Sequence, residues 1–285
     1  MNSKTTSRYY DVDNKRILYY TGAASSKFWD SHWNKYYGRD LERTVKSYSK
    51  NRYIQKLVKK YLSDSNGVIV EGGCGIGGYV YCLAEKGFNV IGVDYAKSTL
   101  LDVKSRFRCM KLLATDVREI AIADNSVDLY ISLGVIEHFY NGYDEIISEA
   151  KRMLKGKGRL IVTFPQISYL RRVKLFWGMY SMLPEKEFLK TEEFYQYLLD
   201  PNDVKAKISG YGFRLIERKS NGGLKGFKDE VPILQPVLQK LYDYAGKSIL
   251  LRGIRVVLNR VLEKSCGHSC QMVFQKEQND SNNNF

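Results

Sequence analysis

The apolar run Val68–Val70 ends in a carboxylate, Glu71, and a glycine-rich loop follows at once, Gly72-Gly73-Cys74-Gly75-Ile76-Gly77-Gly78. Gly73, Gly75 and Gly78 satisfy the Gly-x-Gly-x-x-Gly spacing, in which a tight turn and a helix start receive the pyrophosphate of a dinucleotide. Glu71 argues against such a guest. A like charge about 5 Å away, at an effective dielectric of about 20, costs about 3 kcal/mol per pair. A carboxylate at this place suits a cationic ligand, unless it turns to solvent.

Two more acids follow at matching places. Asp94 closes the apolar run VIGVD, 23 residues after Glu71, near the spacing of about 20 at which an acid meets a ribose diol. Asp94 can instead cap the helix that follows it. Asp116 closes LLATD; an acceptor there, with the N–H of Val117, can read the edge of adenine. A nicotinamide fingerprint does not require this third acid. S-adenosylmethionine carries an ammonium, a sulfonium, a ribose and an adenine, and no phosphate.

These acids need strands to position them. From about residue 50 to 220, apolar runs (GVIV, FNVIGVD, MKLLATD, VDLYISLG, RLIVTFP) alternate with amphipathic segments. In the segment before the first strand, Ile54, Leu57, Val58 and Leu62 share a helical face. Continuous apolar strands between helices indicate parallel pairing with both faces covered, an α/β doubly wound sheet with its ligand at the carboxyl ends of the strands. Residues 166–200 are aromatic and basic and read as having no strand. Segments 166–200 and 221–265 read as insertions forming a helical cap. The domain expectation is therefore an N-terminal segment 1–50, a catalytic domain 51–276 and a disordered tail 277–285; the first ten or so residues are also expected to be mobile.

Taken in order, VIVEGGCGIGG, VIGVD, ATDVREI, DLYISLGVIEHF and LKGKGRLIVTFP resemble the class I S-adenosylmethionine-dependent methyltransferases, of the small-molecule, methyltransferase type 11-like kind. The resemblance covers about residues 50 to 220. It implies a Rossmann-like, seven-stranded, mostly parallel sheet whose last strand, SCQMVFQKE, runs antiparallel. It also implies cofactor contacts: Glu71 with Gly72, Gly73, Gly75 and Gly77 for the methionine part, Asp94 and Tyr95 for the ribose, Asp116 and Val117 for the adenine, and Leu133 from the side.

Methyl transfer is an in-line displacement, and positioning supplies most of its rate. A base is needed only when the nucleophile must lose a proton. His138, in IEHF past the fourth strand, is the candidate base; it equally fits a packing role. Glu137 reads as a loop-bonding or helix-start residue. The same stretch is similar to the cyclopropane-forming lipid branch of the family, which keeps a lipid substrate open. In KFWDSHWNKYYG, Trp29, Trp33 and Tyr36 or Tyr37 fall on one helical face. They are expected to form a lid over the cofactor, with plain packing as the alternative. In KSILLRGIRVVLNRVLEK, Leu250, Ile254, Val257, Leu258 and Val261 lie on one side, and Arg252, Arg255 and Asn259 on the other. This helix is expected to pack on its own domain rather than lie on a membrane.

The 285 residues, 44% hydrophobic, suffice for one sizeable core. The net charge of +14 is spread along the chain without long basic runs, which weighs against nucleic acid. Five cysteines and no secretory segment indicate free thiols and a cytoplasmic setting. Cys266, His268 and Cys270 lack a partner pair, and a turn leading into a strand is expected there rather than a metal. The [ND]-P-P-[YF] signature of amino-methylating nucleic-acid enzymes is absent, as is any Pro-Cys dipeptide. The expectation is methyl transfer to a small molecule. The alternatives are a lipid or isoprenoid methyltransferase at a membrane surface, a nucleic-acid-binding module, and an NAD-dependent oxidoreductase on the same sheet.

Overall fold

A computed structural model describes residues 7–20, 22, 24–37, 40–184 and 193–278, without the side chain of Tyr36. In chain order the elements begin with β1 (Ser7–Asp11), β2 (Arg16–Tyr20), α1 (Ser26–Tyr37), α2 (Leu41–Ser47) and α3 (Arg52–Tyr61). The central run is β3 (Val68–Gly72), α4 (Gly78–Ala84), β4 (Asn89–Asp94), α5 (Lys97–Arg106), β5 (Lys111–Ala114), β6 (Val127–Leu133), α6 (Asp144–Met153) and β7 (Leu154–Pro165). Then come α7 (Tyr169–Phe176), β8 (Ser181–Met182), β9 (Phe194–Leu198), α8 (Pro201–Gly210) and β10 (Phe213–Asn221). The chain closes with α9 (Gly223–Glu230), α10 (Gln235–Tyr242), α11 (Ile249–Cys266) and β11 (Ser269–Lys276).

Seven strands form one sheet in the order β10-β11-β7-β6-β3-β4-β5. The chain leaves β3 toward β4 and β5 on one side and returns to β6 and β7 on the other, so the switch point lies beside β3. Ligands of open α/β sheets sit at that place. The ladders are parallel and in register: Gly72 pairs with Val93 and with Ser132, and Asp94 with Ala114. Glu71, Asp94 and Leu133 therefore share one edge. β11 is the reversed strand. The N–H just past β7, of Gln166, donates to His268 just before β11 (3.0 Å). At the other end Lys276 Nζ reaches the Leu154 carbonyl (2.6 Å).

Helices fold against the sheet through the faces that periodicity picks out. Ile54, Leu57 and Val58 of α3 are buried with Tyr61, while Leu62 of the expected face is the half-buried C-cap; Asn51 caps the helix start, accepting from the N–H groups of Tyr53 and Ile54. They join Ile69, Val80, Leu83, Val103 and Leu129 in the main core.

The chain divides into two compact units. One takes Ala24–Val162, Lys207–Ile216 and the stretch from Val273; the other takes the residues up to Ala23, Thr163–Ala206 and Glu217–Met272. The second contains a four-stranded sheet, β8-β1-β2-β9. This corrects two sequence expectations. Residues 7–11 are a strand rather than mobile, and the 166–200 stretch contributes β8 and β9. The β1–β2 turn is held by Asp11, whose carboxylate accepts from the backbone and side chain of Asn14 and from Arg16. Residues 1–6, 185–192 and 279–285 lie outside the described residues, as does most of the tail expectation; Glu277 is described, its N–H donating to Gly212 (2.9 Å).

α11 packs on α9 and α7, as expected, but of its aliphatic side Leu250, Ile254, Val257 and Val261 are exposed and only Leu258 is half-buried, while Asn259 and Glu263 lie on the packed side. Gly223 and Gly226 of α9 let α11 approach at backbone distance: a side chain at Gly223 would strike the backbone of Asn259 and Glu263, and one at Gly226 the carbonyl of Cys266. The side of α11 that bears Asn259 and Glu263 is thereby committed to α9. Cys266 ends α11 and Cys270 lies in β11, so a helix, a turn and a strand span CGHSC. Among the described residues, no helix is long and apolar enough to cross a membrane.

Candidate active site

Glu71 sits in the last turn of the strand-to-loop handover, between β4 and β6, and is 4% exposed. Its Oε2 has no hydrogen-bond partner. Burial, followed by the charge of Asp94, pushes its carboxyl up to about 8. A backbone hydrogen bond from Val80 serves the carboxyl, so Oε2 is the buried oxygen that costs free energy unless a ligand supplies a partner. Glu71 does not face solvent; it lines a cavity of about 230 Å³ at the carboxyl edge of the sheet.

The glycine loop is folded onto Asp94. The Gly75 N–H donates to Asp94 Oδ2 (2.8 Å), and the Ala96 N–H to Oδ1 (2.9 Å). Burial raises the Asp94 carboxyl, and these backbone bonds oppose the rise. Asp94 thus holds the glycine loop and the turn before α5 and lines the cavity; each oxygen keeps a further lone pair. Gly75 adopts φ +54°, and a Cβ there would lie 2.7 Å from the ring of Trp33. Gly73, at φ +75°, would strike Val135 in the same way. Both line the cavity. Gly72 and Gly77 face elsewhere: their missing side chains leave room for the Tyr130 hydroxyl and the Met110 methyl.

α1 supplies the opposite wall. Trp29, Trp33 and Tyr37 stack along one face at successive centroid spacings of 5.8 Å, and Trp29 and Trp33 line the cavity. Tyr36, the other tyrosine the spacing allowed, has its side chain outside the described residues. The helix is clipped to the sheet edge. Ser26 Oγ donates to the Tyr95 carbonyl (2.9 Å), and the Tyr95 hydroxyl donates to the Ala24 carbonyl (2.6 Å). Asp30 accepts from the N–H (3.0 Å) and hydroxyl (2.8 Å) of Thr99. The N-cap position of α5, Ala96, offers no side-chain acceptor, so Asp30 caps that helix from outside.

Asp116, Val117, Leu133 and His138 complete the wall from β5 and β6 onward. Asp116 is already engaged: Arg118 binds both its oxygens (2.8 and 3.0 Å). Burial would raise the Asp116 carboxyl, but the Arg118 bonds prevail and hold it below the usual range. Arg118 also lies over the Phe139 ring at 5.2 Å. The His138 ring meets Trp29 edge-on, with centroids 5.0 Å apart, so the candidate base and the aromatic wall are in contact. Glu137 is buried with Oε2 unpartnered and is pushed up by burial to about 8, yet it does not line the cavity.

Sequence reasoning missed Tyr48, Tyr79, Val135 and Phe139, all of which line the cavity. Val135 and Phe139 flank the IEH turn, where a signal was present. Tyr48 had none; it comes from a 3-10 turn, Tyr48–Lys50, and rests on Gly78, where a Cβ would touch its ring.

Comparison with known proteins places this arrangement. Residues 70–162 match the methyltransferase domain model. A probable S-adenosylmethionine-dependent methyltransferase of Mycobacterium tuberculosis is 32% identical over 34% of this chain and 35% of its own length. The chain thus spans about a third of the length of that relative. A ubiquinone biosynthesis O-methyltransferase of Rickettsia bellii is 27% identical over 66% of this chain and 83% of its own. The solved structure of a SAM dependent methyltransferase from Archaeoglobus fulgidus, 15% identical, superposes with a TM-score of 0.51 over 85% of this chain and all of that one; this is a likeness of fold. The matched stretch begins at the strand that carries Glu71 and runs through the three strand-end acids to β7. The motif order and that match together support a class I S-adenosylmethionine-dependent methyltransferase domain over residues 70–162.

Proposed function

We propose that the cavity binds S-adenosylmethionine and that the chain directs its methyl group to a small-molecule acceptor. The observation that carries this is the buried Glu71 carboxyl, its Oε2 without a partner, lining an aromatic-walled cavity at the switch point of the sheet. The residues fit the cofactor: Glu71 accepts from its ammonium, Asp94 takes ribose hydroxyls on its free lone pairs, and the Val117 N–H meets the adenine edge. Asp116, held by Arg118, offers its remaining lone pairs to the exocyclic amine. Leu133, Trp29 and Trp33 exclude water around it. Bound there, the cofactor supplies a methyl group activated by its sulfonium. A dinucleotide brings no cation to Glu71, and its pyrophosphate would keep that carboxyl protonated, so it gains none of the ion pairing that an ammonium does.

The chain's own part is positional. α1 and the His138 turn hold the acceptor's approach dry, and the aromatic faces of Trp29 and Trp33 favour positive charge. Among the described residues His138 is the one histidine lining the cavity; it takes the proton when the acceptor is a hydroxyl and is idle for a free amine. The Rickettsia relative, named as an O-methyltransferase, supports a hydroxyl acceptor. Transfer of radiolabelled methyl to a panel of phenols, aliphatic alcohols, amines and carboxylates tests the reading. Label in a phenol, strongly reduced in His138→Ala, is the expected result. No transfer to any acceptor by a chain that binds the cofactor would restrict the proposal to binding.

A further inference from the structure

α11 exposes the side of itself that an amphipathic helix ordinarily hides. Its packed arc is fixed by α9, through Asn259, Leu262 and Glu263 against Gly223, and by Arg255, which donates to the Tyr244 carbonyl (2.8 Å). At 100° per residue the opposite arc holds Leu250, Ile254, Val257 and Val261. These are 72%, 38%, 59% and 68% exposed. Gly253, on the same arc, has open space where a side chain would begin. The helix α7, which touches α11, is followed by exposed Trp177 and Met179, and its last residue Phe176 is exposed too. Large apolar side chains on neighbouring helices are more than the scattered singles of an ordinary surface.

The charges around this face are of one sign. Between Pro232 and Cys266 stand Lys240, Lys247, Arg252, Arg255, Arg260 and Lys264, against only Asp243 and Glu263. Arg260 and Lys264 are exposed beside the aliphatic stripe. A second copy of the chain would oppose like charges, on a molecule already at +14. An acidic, apolar-backed surface complements it.

We propose that the outer face of α11, with the end of α7, docks on an anionic lipid bilayer. The aliphatic stripe enters the boundary between headgroups and acyl chains, the lysines and arginines meet lipid phosphates, and Trp177 settles at the interface. The association is peripheral and independent of the methyl-transfer reading, because it is read by binding and not by turnover.

The test is co-sedimentation of the full chain with phosphatidylcholine vesicles, with and without phosphatidylglycerol, at low and high salt. The expected result is pelleting with the anionic vesicles only, weakened by salt. Val257→Asp/Val261→Asp and, separately, Arg260→Gln/Lys264→Gln each lower the partition by about ten-fold or more. All four positions are exposed, so an unchanged thermal melt and unchanged heat of S-adenosylmethionine binding verify each variant. Wild type that stays in the supernatant overturns the proposal, as does a partition that the aspartate pair leaves intact. A wild-type dimer that the aspartate pair dissociates, with no vesicle binding, overturns it in favour of a second copy. Retention on heparin without vesicle binding overturns it in favour of a soluble polyanion.

Discussion

Cofactor binding should release a proton, and Glu71 is its source. With its carboxyl pushed up to about 8, Glu71 is mostly protonated at pH 6.5 in the free protein. An ammonium placed against it favours the carboxylate, and an α-amino group of pKa about 7.7–8.0 is already charged at that pH. Net release is therefore most of one proton per cofactor. The energetics follow from the same numbers. A pair at about 4 Å, at an effective dielectric of about 20, is worth about 4 kcal/mol. Ionising the carboxyl at pH 6.5 offsets about 2 kcal/mol of that, leaving about 2 kcal/mol, or about thirty-fold in affinity. Calorimetry in two buffers of different ionisation enthalpy measures the release directly. Affinity should rise with pH, by up to about ten-fold per unit below pH 8, and then level or fall as the ligand amine loses its charge. Glu71→Gln should abolish the release and bind about thirty-fold more weakly at pH 6.5. A heat independent of buffer, or an unaltered Glu71→Gln, would refute the assignment of Glu71 as the cation partner.

Other perturbations follow from the same contacts. Asp30→Ala removes the acceptor that caps α5 from α1; a thermal melt should show a loss of about 0.5–2 kcal/mol, and bound cofactor should leave faster. Gly75→Ala sets a Cβ 2.7 Å from the Trp33 ring at φ +54°, so α1 cannot seat, and cofactor affinity should fall at least about thirty-fold while the chain still melts cooperatively. Glu71 and Glu137 both bind their protons more tightly folded than unfolded. Their contribution to stability is thus fully present below about pH 4.5 and is lost as pH rises through about 8. Glu137→Gln should flatten part of that decline and raise the melting temperature at pH 8.

The central strands β3 to β6 were legible because each is a short, mostly apolar run closed by an acid or a glycine, a pattern that both burial and function enforce. The same acids marked three walls of the cavity. What spacing could not supply was the direction of a face. In α11 it grouped Leu250, Ile254, Val257 and Val261 correctly and Leu258, which is half-buried, with them; the outward turn of the four depends on Gly223 and Gly226, two distant glycines that admit the side of Asn259 and Glu263 instead. The strands β1, β2 and β9, SRYYD, RILYY and FYQYL, are runs rich in tyrosine, each only five residues long, which is too short for their period to separate strand from helix. Tyr48 reaches the cavity only through the fold of the segment before α3. Asp116 was found in place, but its occupation by Arg118, two residues on, is a side-chain choice that the spacing left open.

The most direct test of the account is a calorimetric titration of the wild-type chain with S-adenosylmethionine and, separately, with NADH, repeated with Asp94→Ala. The account predicts saturable S-adenosylmethionine binding, one per chain, weakened in the variant, and no heat from NADH. A folded wild-type chain that takes up NADH, or gives no heat with S-adenosylmethionine, would contradict it.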